Sequence, residues 1–174
     1  MQHTNIEIKA KCFYPKKVKA FLLKHSANFE GTDFQKDIYF NVPDGRLKLR
    51  SGNIENNLIF YKRDNQKGPK KSNFLLVPVA ETAKVQLLLT AALGIKVIVE
   101  KKRKIYYLEN IKVHIDEISG LGCFVEIEAG NLLNPAITVD ELYLQCAELM
   151  KHFEIKEEDL IEGSYSDMML SKNS

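Results

Sequence analysis

The sequence predicts an α+β fold, with one large, mostly antiparallel sheet and about three amphipathic helices. Three observations predict it. Most segments alternate apolar and polar residues with a period of two. Turn-forming residues separate those segments at short intervals. Three stretches instead repeat their apolar residues at helical spacing. At 174 residues, the chain is expected to form a single domain over 1–174, long enough to build a sizeable core.

The first strand is "NIEIKAK" (5–11), in which Ile6, Ile8 and Ala10 point one way and Asn5, Glu7, Lys9 and Lys11 the other. A helix can begin at Pro15, with Val18, Phe21, Leu22 and His25 on one stripe, and Gly31 is read as the end of that unit. "FQKDIYFN" (34–41) is a strand followed by the turn residues "VPDG". "RLKLRS" (46–51) and "NLIFYKR" (57–63) are hairpin partners across Gly52-Asn53. "DNQKGPKKSN" (64–73) reads as a flexible loop, and "FLLVPVA" after it as a strand.

"ETAKVQLLLTAALG" is the second helix, closed by Gly94. Three strands follow, "IKVIVEKKRKIYYL", "IKVHIDEI" and "CFVEIEAG", turning at Glu109-Asn110 and at "SGLG" (119–122). Thr138 and Glu141 form a capping-box signature for the third helix, "VDELYLQCAELMKHF". "EEDLI" and "GSYSDMML" complete the chain.

A net charge of +2 is too small for wholesale nucleic-acid binding, so no nucleic-acid partner is expected. Cys12, Cys123 and Cys146 are odd in number and far apart, with no CxxC pair. That argues against a disulfide framework or a zinc site and suits a reducing compartment. The N-terminus carries no signal-peptide pattern, because Glu7 and Lys9 interrupt it. The longest apolar run is broken by Gly94, Lys96 and Glu100, so no membrane span is expected. The expected location is the cytoplasm.

The polar faces carry a second regularity. Arg46, Lys48 and Arg50 share a face, as do His114 and Asp116, and Glu126 and Glu128. In the longest strand Glu100, Lys102 and Lys104 face one way and Lys101 and Arg103 the other. Like charges at i and i+2, roughly 7 Å apart, repel by about 2 kcal/mol at an effective dielectric near 20. For any one strand, a solvated outer face explains this cheaply. For all of them together it does not. The helices must cover the apolar sheet face, and a curling sheet encloses the charged one. Enclosed Arg and Lys need a polyanion, and enclosed carboxylates need a cation. A triphosphate with Mg²⁺ meets both needs.

Other features read as ordinary structure. His114 fits a hydrogen-bonded structural histidine better than an acid or base, and His25 and His152 fit helix packing or surface. "GPKKS" lacks the spacing and context of a P-loop; it reads equally as a lid or a solvated loop. Tyr39, Phe40, Phe60 and Tyr61 are strand core before they are a base-stacking platform.

"NIEIKAK", "DIYFNVPDGRLKLR", "LIFYKRDNQKGPKKS", "EKKRKIYYL", "VHIDEISGLGCFVEIEA" and "GSYSDMML" together resemble the CYTH superfamily, nearest its class IV adenylyl cyclase-like branch. The resemblance implies a closed antiparallel eight-stranded barrel, the triphosphate tunnel, with flanking helices. It implies an enzyme using Mg²⁺ or Mn²⁺, as a monomer or homodimer. The substrate would be ATP, converted to cyclic AMP and pyrophosphate. The alternatives are hydrolysis of inorganic triphosphate, thiamine triphosphate or a nucleotide, and binding without turnover. The E-x-E-x-K signature falls on Glu7 and Lys9, with Asn5 in place of the first Glu. These imply catalytic roles for Lys9 and Glu7, and phosphate contacts from Arg46, Lys48, Arg50, Lys62, Lys101 and Arg103. Metal ligands would come from Glu7, Asp116, Glu126 and Glu128. Tyr165, Ser166 and Asp167 belong to a terminal motif that serves packing or closure of the tunnel or, equally, its chemistry.

Overall fold

The computed structural model describes residues 2–62, 65–131 and 134–173. In chain order the strands are β1 (Gln2–Lys11), β2 (Asn28–Phe40), β3 (Arg46–Ser51), β4 (Asn57–Lys62), β5 (Lys70–Pro78), β6 (Ile95–Leu108), β7 (Ile111–Ile118) and β8 (Gly122–Gly130). The helices are α1 (Pro15–Lys24), α2 (Thr82–Leu93), α3 (Val139–His152) and α4 (Tyr165–Asn173). The strands close into one barrel in the order β1-β5-β4-β3-β2-β6-β7-β8, and β8 pairs back to β1. Every pairing is antiparallel. Closure leaves the sheet no edge and turns every second residue inward.

The outward residues form the core. Ile6, Ile8, Val113, Ile115, Val125 and Ile127 pack beneath α1 and α3 through Val18, Leu22, Leu142, Cys146 and Leu149. On the other side Ile38, Phe40 and Leu49 lie under Val85, Leu89 and Leu93 of α2. The capping box at Thr138 and Glu141 is formed, and Gly94 caps α2 with its N–H on the Thr90 carbonyl. All three cysteines are free thiols. Among the described residues no helix is long and apolar enough to cross a membrane.

The structure departs from the sequence expectation at three places. Gly31 does not end α1; it sits inside β2, at φ 147°, where the pairing with β6 slips by one residue. A strand residue there needs glycine to take up the bulge. The expected loop 64–73 gives way to β5 from Lys70, because Lys70, Lys71, Ser72 and Asn73 pair with β1. Arg63 and Asp64, at the junction of that loop with the expected strand 57–63, lie outside the described residues. The terminal "YSDMML" forms a fourth helix, where the sequence predicts about three.

That helix closes one end of the barrel. Met168, Met169 and Leu170 pack against an apolar cluster of Tyr39, Ile59, Tyr61, Val97, Val99, Ile118, Phe124 and Tyr165. The chain leading to it is tied down on both sides. The Ile161 N–H donates to the Lys9 carbonyl at 2.8 Å, and buried Lys70 donates to the carbonyls of Ile161 and Glu162 at 3.4 and 2.8 Å.

Candidate active site

The barrel encloses a cavity of about 330 Å³ lined by residues from all eight strands. Alternation dictates which ones. Asn5, Glu7 and Lys9 of β1 line it, as do Lys48 and Arg50 of β3, Lys101 and Arg103 of β6, His114 of β7, and Glu126 and Glu128 of β8. Lys102 and Lys104, one residue out of phase, lie outside and pair loosely with Glu117 at 3.7 and 3.8 Å.

One wall gathers cations around Asp37. Its carboxylate accepts from Arg50 Nε at 2.9 Å and Nη2 at 3.0 Å, Lys101 Nζ at 2.6 Å and Lys48 Nζ at 3.2 Å. Burial opposes ionisation of Asp37, but the charges of Arg50, Lys101 and Lys48 outweigh it and hold the carboxyl well below its ordinary range. For Lys101 burial wins. Desolvation, with repulsion from Arg50, Arg103 and Lys48, outweighs the pull of Asp37 and brings the ammonium down to about 7.

The other wall gathers acids. Glu126 accepts from Lys9 Nζ at 3.0 Å and from Arg103 Nη2 at 2.9 Å. Register places these groups together, since Lys9 and His114 both face Glu126 across the ladder and Glu7 faces Glu128. Glu128 remains 22 % exposed to the cavity. His114 is 1 % exposed, with Nδ1 3.5 Å from a Glu126 oxygen and 3.7 Å from a Glu128 oxygen. Neither ring nitrogen has a hydrogen-bond partner. Burial and the charge of Arg103 lower its pKa against the pull of Glu128 and Glu126.

Three residues named from the resemblance stand apart from the cavity lining. Asp116, expected as a metal ligand, is fully buried behind Arg103, taking its guanidinium at 2.7 and 2.6 Å and the Tyr165 hydroxyl at 2.9 Å. With both oxygens so engaged, its place is to hold Arg103. Lys62, expected on a phosphate, has a side chain 59 % exposed and pairs with Asp44. Arg46 sits at the end closed by α4, bonded to Asp167 at 3.0 Å and Asn65 at 3.1 Å.

Sequence reading missed Asp37, Glu55, Lys112 and Ser72, all of which line the cavity. The β3–β4 loop carries Glu55 inward. There it accepts from Arg50 Nη1 and Gln35 Nε2, each at 2.8 Å, and pairs with Lys112 across the lumen. The loop is seated on buried Asp33, which accepts the N–H groups of Ile54 and Glu55 at 2.9 and 3.0 Å. Gly52 makes this possible, since a Cβ there would stand 2.4 Å from an Asp33 oxygen. The signal lay in β2, where Asp33, Gln35, Asp37 and Tyr39 share one face at i, i+2 spacing.

Among the described residues six cationic and five carboxylate side chains line the cavity, a net of one positive charge with His114 neutral and Lys101 protonated. A third character completes it, an apolar wall of Ile59, Tyr61, Phe74 and Leu76 from β4 and β5. The site can therefore hold an anion on one wall, a cation on the other and an apolar group between them.

The chain is 29 % identical over 175 residues to a Methanocaldococcus jannaschii protein named "Putative adenylate cyclase", covering 94 % of this chain and 97 % of that one. A solved Pyrococcus horikoshii structure shares the fold with a TM-score of 0.75 at 22 % identity, covering 94 % and 98 % of the two chains. A Hippeastrum structure, named a "Putative adenylyl cyclase" that reveals a dominant triphosphatase activity, shares it with a TM-score of 0.63 at 13 % identity, covering 97 % and 95 %. Residues 3–165 match the CYTH domain, whose fold is the barrel described above, and the chain belongs to that family.

Proposed function

We propose that this chain is a divalent-metal-dependent enzyme that converts a nucleoside triphosphate, ATP, to cyclic AMP and pyrophosphate. The observation that carries the reading is the three-part lumen, with cations opposite carboxylates and the apolar wall of Ile59, Tyr61, Phe74 and Leu76 beside them. The apolar wall gives a nucleobase somewhere to lie that inorganic triphosphate does not need. The name of the Methanocaldococcus jannaschii relative supports the same reading. Hydrolysis of a triphosphate is the second reading. Asn5 in place of a carboxylate favours it, as does the activity described for the Hippeastrum protein.

A lumen with a net of one positive charge attracts a polyanion only weakly. The donor set fits a divalent ion, because oxygens of Glu126 and Glu128 lie close together and Glu128 is open to the cavity. Glu7, Glu126 and Glu128 would hold it, and when bound the ion neutralises phosphate charge and acts as a Lewis acid. Arg50, Lys48, Lys101 and Arg103 bind the phosphate chain. Asp37, Asp116 and Glu126 keep these cations oriented before substrate arrives, so little reorganisation is needed as charge develops. Lys9, held by Glu126 and lying 4.1 Å from the centre of the Tyr165 ring, orients the nucleophile. In the cyclase reaction the ribose 3′-hydroxyl gives up its proton to water as its oxygen bonds the α-phosphorus. The bond to the bridging oxygen breaks, and pyrophosphate leaves with the bonding pair.

Chromatography of products after incubation with Mn²⁺ or Mg²⁺ tests this, with ATP, inorganic triphosphate and thiamine triphosphate run separately. Cyclic AMP with pyrophosphate upholds the cyclase. Orthophosphate without a cyclic product moves the chain to the hydrolases. Binding without turnover, and without need of metal, overturns both.

Two further results are expected. A polyanion beside Lys101 raises its pKa from about 7, so binding above pH 7 takes up a proton. Affinity for triphosphate should then fall up to tenfold per pH unit above about 7. Calorimetry in buffers of different ionisation enthalpy reads the proton directly. Glu55→Gln frees Arg50 and Lys112 from an internal carboxylate, and triphosphate should bind about fivefold tighter, of order 1 kcal/mol. Weaker binding would instead mean that Glu55 orients Arg50 for its ligand.

A further inference from the structure

His114 has no place in the reading above, yet among the described residues it is the one histidine that lines the lumen, and it is buried there. A buried imidazole with both nitrogens unpartnered is costly, about 1–3 kcal/mol for each unsatisfied polar group. The nearest acceptors, at 3.5 and 3.7 Å, are beyond hydrogen-bond reach. One donor atom from each of His114, Glu126 and Glu128 falls within 4.8 Å of the others. Ligands that share an ion at about 2.1 Å stand about 3–3.5 Å apart, close to the spacing of Nδ1 from the two carboxylates.

Register explains why these three meet. Glu126 and Glu128 are on β8, with β1 on one side and β7 on the other. On the β1 side Glu7 faces Glu128, and the next inward position toward the N-terminus is Asn5, which faces Gly130. A neutral amide replaces a carboxylate there. On the β7 side His114 faces Glu126. The chain thus has one acid fewer than the E-x-E-x-K pattern supplies, and an imidazole on the opposite flank of the same two glutamates.

We propose that His114 is a ligand of the lumenal metal, through a ring nitrogen, together with Glu126 and Glu128. The inference rests on reading those two glutamates as the metal-holding pair. It has a consequence for metal choice. Mg²⁺ takes oxygen ligands and gives up its water reluctantly, whereas imidazole suits first-row transition ions. The site prefers Mn²⁺ or Co²⁺ to Mg²⁺, and the nitrogen donor is the cause. Glu126 can serve both roles, since each oxygen that accepts from Lys9 or Arg103 keeps a second lone pair.

The test is pulsed electron paramagnetic resonance on the full chain loaded with substoichiometric Mn²⁺, without nucleotide. Nitrogen-14 modulation of the Mn²⁺ signal, with the couplings of a bound imidazole, is expected. His114→Gln should abolish it and weaken Mn²⁺ binding at least tenfold while changing Mg²⁺ binding less than threefold. The wild-type spectrum decides the matter even if that variant fails to fold. Mn²⁺ bound with no nitrogen coupling, and released by Glu128→Gln, overturns the role of His114 and leaves the glutamate site standing. No Mn²⁺ bound at all overturns both. Equal affinity of wild type for Mn²⁺ and Mg²⁺ overturns the preference.

Discussion

Glu126→Gln is expected to reduce turnover about a thousandfold, on the scale of losing one preorganised charge-stabilising group. Glu126 is the meeting point of the acidic wall, since it holds Lys9 and Arg103 and lies 3.5 Å from His114. Burial works against its ionisation, yet the charges of Lys9 and Arg103 keep its carboxyl well below the ordinary range. The amide keeps the shape and removes the charge, so Lys9 loses its carboxylate, Arg103 keeps only Asp116, and a metal held at the proposed site would lose a ligand. Glu128→Gln, at a side chain open to the cavity, separates these effects and should cost about a hundredfold with no change in melting temperature. Steady-state rates with saturating Mn²⁺ check both. An activity of Glu126→Gln within threefold of wild type would place the chemistry elsewhere.

Asp37→Asn is expected to lower the free energy of unfolding by about 3–5 kcal/mol, the cost of leaving buried charge unpaired. Melting temperature should fall by about 10 °C. Arg50, Lys48 and Lys101 all lean on this carboxylate, and among the described residues Arg50 alone of the three has a second carboxylate, Glu55. An anion in the lumen could replace the lost one. Inorganic triphosphate should therefore stabilise the variant more than the wild type, in a thermal shift titration. Because the folded pKa of Asp37 is depressed, its contribution is fully present above the ordinary carboxylate range and is lost as pH falls through it toward the folded value. The variant should lack that part of the acid sensitivity. Equal melting points at pH 7 would show that the three cations do not depend on Asp37.

The sequence reading went furthest where the period of two was strict. "NIEIKAK", "RLKLRS" and "CFVEIEAG" each told which side chains share a face. The split of Lys101 and Arg103 from Lys102 and Lys104 follows from parity alone. It was weakest where a strand owes its existence to a distant partner. "KKSN" is polar and follows Gly-Pro, so nothing local marks it as β5; its pairing with β1 does. The helix at 165–173 has almost no apolar asymmetry of its own and forms by capping a barrel the local sequence cannot reveal. Asp37 was overlooked for a related reason. One acid between a lysine and an isoleucine looks like surface, and only the register opposite Arg50 makes it the hub of the basic wall. Glu55 is on a loop, where alternation carries no information about direction.

The helix across one end of the barrel governs traffic as well as packing. With α4 seated on the apolar cluster and Tyr165 bonded to Asp116, the lumen has a blind end, and comings and goings share the side where Asn5, Glu128 and Lys112 lie. A reaction that splits one molecule into two in such a space imposes a queue. The fragment nearer α4 waits for the one nearer the mouth, so release is ordered. The inner product, last to leave, should then compete with substrate for the empty enzyme, while the outer one should bind behind it, trap it and inhibit without competing with substrate.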